Sequence, residues 1–363
     1  MTSSARWTPA LLLSLRTYSS RDLSADVIAG ITVGLVALPL AMAFGIASGV
    51  TPQAGIYTAV IAGFLISALG GSRVQIGGPT GAFVVIVAGI IAKFGLSGLL
   101  VVTLMAGVIL IVMGATGLGT AVKFIPRPVT IGFTNGIAVL IASTQIKDFF
   151  GLKTGPVPSE FVGRMRLLIQ NFSTVDAPTL ALAAASLTGI ILWPRLTRRI
   201  PGSIIFLVLA TLAVVVFNLP VETIGSKFGG IPTGFPAFTL PHFQPGLIVP
   251  LLPSALTVAL LAAVESLLSA VVADSMTGQR HNSNVELIAQ GIANMASPFF
   301  GGIPATGAIA RTATNIRSGA KTPVAGMVHA LTLLFILLVA APLARFVPLA
   351  TLAAVLFVVA YNM

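Results

Sequence analysis

The chain of 363 residues contains no cysteine, and only 8% of its residues are charged. Without cysteine there can be no disulfide and no thiolate metal site, and the redox compartment cannot be read. Soluble domains carry about a quarter charged residues, so this composition argues against a globular aqueous protein. Histidine is scarce too: His242 falls in a loop, His281 in the polar turn GQRHNSN, and His329 in an apolar helix, where it reads as a hydrogen-bonded packing residue rather than a proton relay. No spacing resembles a metal site or a Ser–His–Asp arrangement, and the phosphate-loop pattern is missing. An enzyme or an ATP-driven pump therefore has no visible chemistry, and no cofactor is expected.

What is present is apolar sequence. Hydrophobic residues make up 56% of the chain and mean hydropathy is +1.03. They come in runs at about 27–46, 53–70, 79–93, 96–118, 126–145, 178–194, 201–218, 250–273, 285–300, 307–316, 323–343 and 346–361. A stretch of about 20 such residues crosses roughly 30 Å of hydrocarbon. The chain reads as a polytopic membrane protein whose third and tenth runs are too short to span alone. The net charge of +11 comes from basic residues scattered singly or in small groups at run ends, a placement that suits membrane topology and not a nucleic-acid face.

The first 25 residues lack the long apolar core of a signal peptide and read as a cytoplasmic lead-in lying along the bilayer. With that end cytoplasmic, Lys/Arg at 6, 16, 21, 73, 123, 127, 195, 198, 199, 280, 317 and 321 fall inside. Those at 93, 147, 153, 164, 166, 227 and 345 fall outside. The excess favours this orientation, although the group at 147–166 dilutes it. FVGRMRLLIQNF within that group reads equally as an amphipathic surface helix or a plain loop. The Gly/Pro-rich stretch 219–249 separates seven runs (26–218) from five (250–363). An odd count inverts one half relative to the other, and the second half is two runs short of the first. On that reading the chain is truncated, with two helices and a soluble domain absent.

Two phrases sit at corresponding places, GGPTGAF at 77–83 and PATGAIAR at 304–311, each after or within a Gly-Gly and proline context that a continuous helix does not tolerate. Backbone left unpaired in lipid costs several kcal/mol, so broken helices survive only where they are buried or line a wet cavity. A half-helix starting near Thr80 or Gly307 offers free N–H groups and the positive end of its dipole, which together attract an anion. RVQIGG and GGIP before them read as short extended segments that pair with one another. Glu265, in LLAAVESLLSAVVAD and about two-thirds along the apolar run 250–273, needs a partner at that depth. Arg311, placed in the second turn of the tenth helix, is its natural counter-charge, and Ser269 lies one turn on from Glu265. Asp274 reads as a solvated or capping charge at the helix end.

These residues also carry a resemblance. ESLLSAVVADSMTGQRHNSNVELIAQGIANMASPFFGGIPATGAIARTATNIRSGAKTP, DVIAGITVGLVALPLAMAFGIASGVTPQAGIYTAVIAGFLISALGGSR and GGPTGAF resemble the sulfate permease family of anion transporters over essentially the whole chain. The wording is most similar to the bacterial branch that carries C4-dicarboxylates, and the bicarbonate branch shares ALPLAMAFGIASG. The resemblance implies an all-α inverted-repeat fold of seven plus seven segments, with core and gate domains, usually dimeric, in the bacterial cytoplasmic membrane. It implies anion contacts at Gly78, Pro79, Thr80, Gly81, Ala82, Ala308, Ile309, Ala310 and Arg311. It implies ion coupling at Glu265 with Ser269 beside it, by proton rather than sodium because the acid is Glu. Departures are Leu40 where many sulfate carriers have Gln, and Ala54 and Ile56 in place of Tyr and Leu. The mechanism expected is proton-coupled symport by an elevator motion, in which an arriving dianion takes Arg311 from Glu265 and the acid crosses protonated. An uncoupled exchanger or channel-like pathway is the alternative, and a nucleobase-type transporter of the same fold a further one.

Overall fold

The computed structural model describes residues 7–120, 127–197, 201–241 and 245–362. His242 and the basic residues at 6, 123, 198 and 199 lie outside them, and so does the side chain of Arg127. A short surface helix, α1 (Ala10–Leu15), precedes α2 (Ser20–Ala47), which starts where Ser19 and Asp22 exchange reciprocal capping bonds. α3 (Pro52–Leu69) begins on proline and returns to the N-terminal face. The chain then runs extended through β1 (Gly77–Gly78) and a single helical turn at Gly81–Phe83 into α4 (Val84–Ala115). α4 is two helices end to end, broken at Gly95, where φ is 70° and ψ −178°. That break separates the third apolar run from the fourth.

α5 (Arg127–Phe150), the short α6 (Phe161–Gln170), α7 (Ala177–Leu192), α8 (Gly202–Phe217) and the small α9 (Ile224–Phe228) follow. The segment FVGRMRLLIQNF is thus helical over 161–170. The second half repeats the pattern with α10 (Ile248–Thr277), α11 (Ser283–Ala296), β2 (Thr306–Gly307), the half-length α12 (Ile309–Arg317), α13 (Val324–Ala344) and α14 (Leu349–Tyr361). Among the described residues, six helices are long and apolar enough to cross a membrane unaided, and α8 and α14 are shorter apolar helices.

Two packing groups result. α2, α3, α4, α10, α11, α12 and α13 enclose the strand pair, while α14 packs on α5, α7 and α8 around Phe149, Ala183 and Ala350. Within the first group, α13 lies against α2 and α3 as α4 lies against α10 and α11, which is the pairing an inverted repeat produces. Hydrocarbon supplies no hydrophobic drive between helices, so contact relies on close backbone approach at small residues. Gly107 of α4 and Gly291 of α11 show it: a Cβ on either would stand 2.6–2.7 Å from the carbonyl oxygen of the other.

Two buried carboxylates fasten the N-terminal face. Asp26 accepts from the Lys321 and Thr322 amides at 2.7 and 3.1 Å and from the Thr322 hydroxyl at 2.5 Å. It also accepts from Tyr18 at 3.1 Å; burial and this carboxylate push the Tyr18 hydroxyl up to about 12, so it stays a donor at neutral pH. Glu286 accepts from the Gly71 and Ser72 amides at 2.9 and 3.1 Å and from Gln290 at 3.0 Å. Each carboxylate ties a helix start in one half to a loop in the other.

Replacing Gly107 or Gly291 with Val forces two helices apart. Overpacking of this kind costs about 1–3 kcal/mol, so each variant is expected to melt at a lower temperature in detergent. Gly89→Ala, where nothing lies within 4 Å of an added Cβ, is expected to leave the midpoint unchanged.

Candidate functional site

Glu265 lies near the middle of α10, which places everything it touches at mid-depth. β1 and β2 pair antiparallel beside it, Gly77 opposite Gly307 and Gly78 opposite Thr306. The expected pairing is present, but its second strand is Thr306–Gly307 rather than GGIP. Residues 301–305 instead turn, with the Gly301 and Gly302 amides on the Pro298 and Ser297 carbonyls and side chains holding Ile303 and Ala305. Thr58 receives the Ile303 amide at 2.7 Å, Ser297 donates to the Ile303 carbonyl at 3.0 Å, and Asn294 bonds both amide and carbonyl of Ala305 at 2.8 Å.

The first extended segment is held the same way. Asn315 donates to the Val74 carbonyl at 2.9 Å, Thr312 accepts the Ile76 amide at 3.0 Å, and Gln75 donates to the Ser266 carbonyl at 3.1 Å. Ser266 in turn accepts the Gly307 amide at 3.1 Å and meets the Thr306 hydroxyl at 2.6 Å. Ser269 bonds the Thr312 hydroxyl at 3.1 Å and so ties α10 to α12, while the Glu265 carboxylate bonds Thr80. Sequence reading missed Thr58, Gln75, Ser266, Asn294, Thr306, Thr312 and Asn315 in these roles. For Thr58, Ser266, Asn294, Thr312 and Asn315 the signal was a polar residue inside an apolar run, whereas Gln75 and Thr306 lie between runs and carried none.

Both half-helices start facing this centre, and neither has a side-chain cap: Thr80 precedes the turn Gly81–Phe83, and Ala308 precedes α12. The first amides of such a helix have no intrahelical acceptor. Gly78, Pro79, Thr80, Gly81, Ala82, Ala308 and Arg311 are buried, Ile309 is half-buried and Ala310 is exposed. Arg311 is the third residue of α12 and so belongs to its first turn, one turn earlier than expected.

The expected Glu265–Arg311 ion pair does not form; no described cation lies within 4 Å of the Glu265 carboxylate. Glu265, 8% exposed, accepts instead from the Thr80 hydroxyl at 2.9 Å. Arg311 reaches across to the Pro79 carbonyl through Nη2, while its buried Nη1 has no hydrogen-bond partner. The two charges therefore meet adjacent residues of one extended turn, Pro79 and Thr80. Gly78 makes room for the guanidinium: its φ is 149°, and an added Cβ would stand 2.6 Å from Arg311 Nη1.

The other titratable residues lie elsewhere. Asp274 receives the His281 amide at 3.0 Å and bonds its ring at 2.7 Å, closing the turn after α10. His329 is fully buried and meets the Gly326 backbone one turn back, as a packing residue rather than a proton relay would. It fills the space behind β1 near Gly63 and Gly77. Among the described residues no group of three His, Asp or Glu is placed to hold a metal.

Residues 23–363 match the model of the sulfate permease family. The chain belongs to that family. It is 50% identical over 347 residues to the protein named "Putative sulfate transporter YvdB" of Bacillus subtilis, covering 95% of this chain and 66% of that one. Identity is 36% over 348 residues to "Bicarbonate transporter BicA" of Picosynechococcus, covering 93% of this chain and 61% of that protein. The solved transmembrane domain of a cyanobacterial BicA superposes with a TM-score of 0.87 at 35% identity, over 95% of this chain and 89% of that one. This sulfate permease chain thus spans less than two thirds of the length of the two proteins matched by sequence, and its relatives are named as transporters, not enzymes.

Thr80→Val keeps the shape of the side chain but strands the Glu265 carboxylate. Leaving a buried acceptor unpaired costs about 1–3 kcal/mol, so this variant is expected to melt lower in detergent, while Thr80→Ser stays near the parent.

Proposed function

We propose that this chain carries a small oxyanion across the bilayer, with the substrate seated between the starts of the two half-helices and a proton carried on Glu265. One observation bears most of this reading: Thr80 bridges to Glu265 while Arg311, with one Nη unpaired, grips the neighbouring carbonyl of Pro79. A buried guanidinium with unspent donors beside two uncapped helix starts is chemistry for an anion. The contacts assigned to substrate are Gly78, Pro79, Thr80, Gly81, Ala82, Ala308, Ile309, Ala310 and Arg311.

An oxyanion that accepts from the Thr80 hydroxyl and Arg311 competes for the donor that Glu265 uses. Deprived of it and placed beside a second negative charge, Glu265 binds a proton and crosses neutral. Coupling therefore passes through Thr80 rather than through a direct Glu–Arg pair, and Ser269 acts as a support. The relatives named for sulfate and bicarbonate favour an inorganic oxyanion, with a C4-dicarboxylate the larger member of the same class. The separate packing of α5, α7, α8 and α14 against the strand-bearing group supports an elevator motion of one group past the other. The Lys/Arg distribution supports a cytoplasmic N-terminus in a bacterial cytoplasmic membrane, and a homodimer is part of the same proposal.

Liposome uptake of labelled sulfate, bicarbonate and succinate, with and without an inward proton gradient, tests this. Glu265→Gln is expected to keep exchange and lose gradient-driven accumulation. Accumulation by that variant driven by protons alone would assign coupling elsewhere, and an absence of proton dependence in the parent would favour the uncoupled exchanger. Arg311→Ala is expected to weaken divalent sulfate at least tenfold more than chloride, and equal losses would remove Arg311 from the substrate site.

A further inference from the structure

The basic residues at 147–166 run against the positive-inside pattern, and the structure gathers several of them. On the face opposite the N-terminus a cavity of about 610 Å³ opens between the two helix groups. Ser48–Thr51, Ala54, Ala88 and Ala92 line it from the strand-bearing group, and Thr144–Gln145, Lys147–Asp148, Arg164 and Lys227 line it from the other side. Its charged lining comprises three cations and one carboxylate, Asp148. Lys227 is offset by Asp148 at 3.2 Å and by exposed Glu222 at 3.8 Å.

Arg164 has no such partner. It is 3% exposed and spends its donors on Ser143 Oγ at 2.9 Å and on the carbonyls of Ser159 and Pro158 at 2.8 and 3.3 Å, with no described carboxylate within 4 Å. Lys147 has a single carbonyl, Thr154 O, at 3.5 Å. On the opposite wall the buried Ser48 hydroxyl has no hydrogen-bond partner. An arginine locked by neutral acceptors keeps its full charge and a fixed position, and low-dielectric walls focus its field into the cavity. α6, the helix that holds Arg164, is therefore a device for presenting charge.

We propose that this cavity is a second anion site, a capture site for small oxyanions at the far mouth, formed by Arg164 and Lys147 with Ser48 facing them. Ala88 lines the cavity and lies seven residues beyond Gly81, about 10 Å further along the helix at 1.5 Å per residue, so captured anions wait beyond that wall for delivery toward the Thr80–Glu265 contact. The delivery role rests on the transport reading above, but the site itself does not.

The chain has no native cysteine, so Ala88→Cys supplies a sole reactive thiol inside the cavity. Its labelling rate in the full chain in nanodiscs is measured with an anionic (sulfonatoethyl) and a cationic (trimethylammonioethyl) methanethiosulfonate. The expected result is an anionic-to-cationic rate ratio roughly tenfold above that for free thiol. Sulfate should slow the anionic reagent, and Arg164→Gln or Lys147→Gln should reduce the ratio at least threefold. Lys147→Gln breaks only one long contact, so it carries the test if the buried arginine is needed for folding. A ratio equal to that of free thiol, or one that neither substitution moves, overturns the proposal. A parent that shows the charge preference and sulfate protection but transports no anion retires the transport reading and leaves the capture site standing.

Discussion

Two stretches of extended backbone cross the middle of a membrane protein here, and every polar group in them must find a partner away from water. That requirement organises the structure. The strand pair meets part of it, and helix side chains supply much of the rest: Asn294, Asn315, Thr58, Thr312, Ser266 and Gln75 bind amides or carbonyls of the two segments. Because four of these ties, from Asn315, Thr58, Thr312 and Gln75, run between halves of the chain, the strand-bearing centre cannot form until both repeats have folded. The same ties make the centre stiff. Thr80 holds the Glu265 carboxylate and the Pro79 carbonyl holds Arg311, all of them buried.

Stiffness explains why the two charges remain apart. A direct Glu265–Arg311 pair in low dielectric would be a deep trap, since breaking a buried pair is strongly destabilising. Interposing Pro79 and Thr80 leaves each charge with one neutral partner. In the proposed mechanism, Glu265 then depends on a hydroxyl that the incoming anion also needs. Competition for one donor is a weaker link than an ion pair, and therefore a reversible one. That suits a group proposed to change protonation state in each cycle.

Much of this was legible in sequence because apolar runs and helix breakers are local signals. Runs at 27–46 and 323–343 reappear as α2 and α13, and the twin breaks at 77–83 and 304–311 mark the two half-helices and the strands that pair. The partners were not legible. Glu265 and Arg311 are the obvious opposite charges, yet which atoms they reach is set by the φ of Gly78 and the register of β1 on β2, and neither is encoded in spacing. GGIP looked like a strand because glycine and proline exclude a helix, but they equally permit the turn that Thr58 and Ser297 hold.

The outer cations show how a departure from a topological rule becomes informative once distances are known. If the N-terminus is cytoplasmic as proposed, these positive residues sit on a translocated segment, against the usual bias. Sequence placed 147, 153, 164 and 166 together without saying whether they faced lipid, solvent or each other. In the fold, Arg164 is buried on neutral acceptors and Lys147 stands beside the same cavity, whereas Lys227 is matched by carboxylates. Burial without a counter-charge carries a desolvation cost that packing alone does not offset. A mobile anion entering the cavity supplies the missing charge, and because it is not fixed it can also leave toward the centre. The fold thus keeps buried positive charge in two places, Arg311 and Arg164, mounted on opposite helix groups.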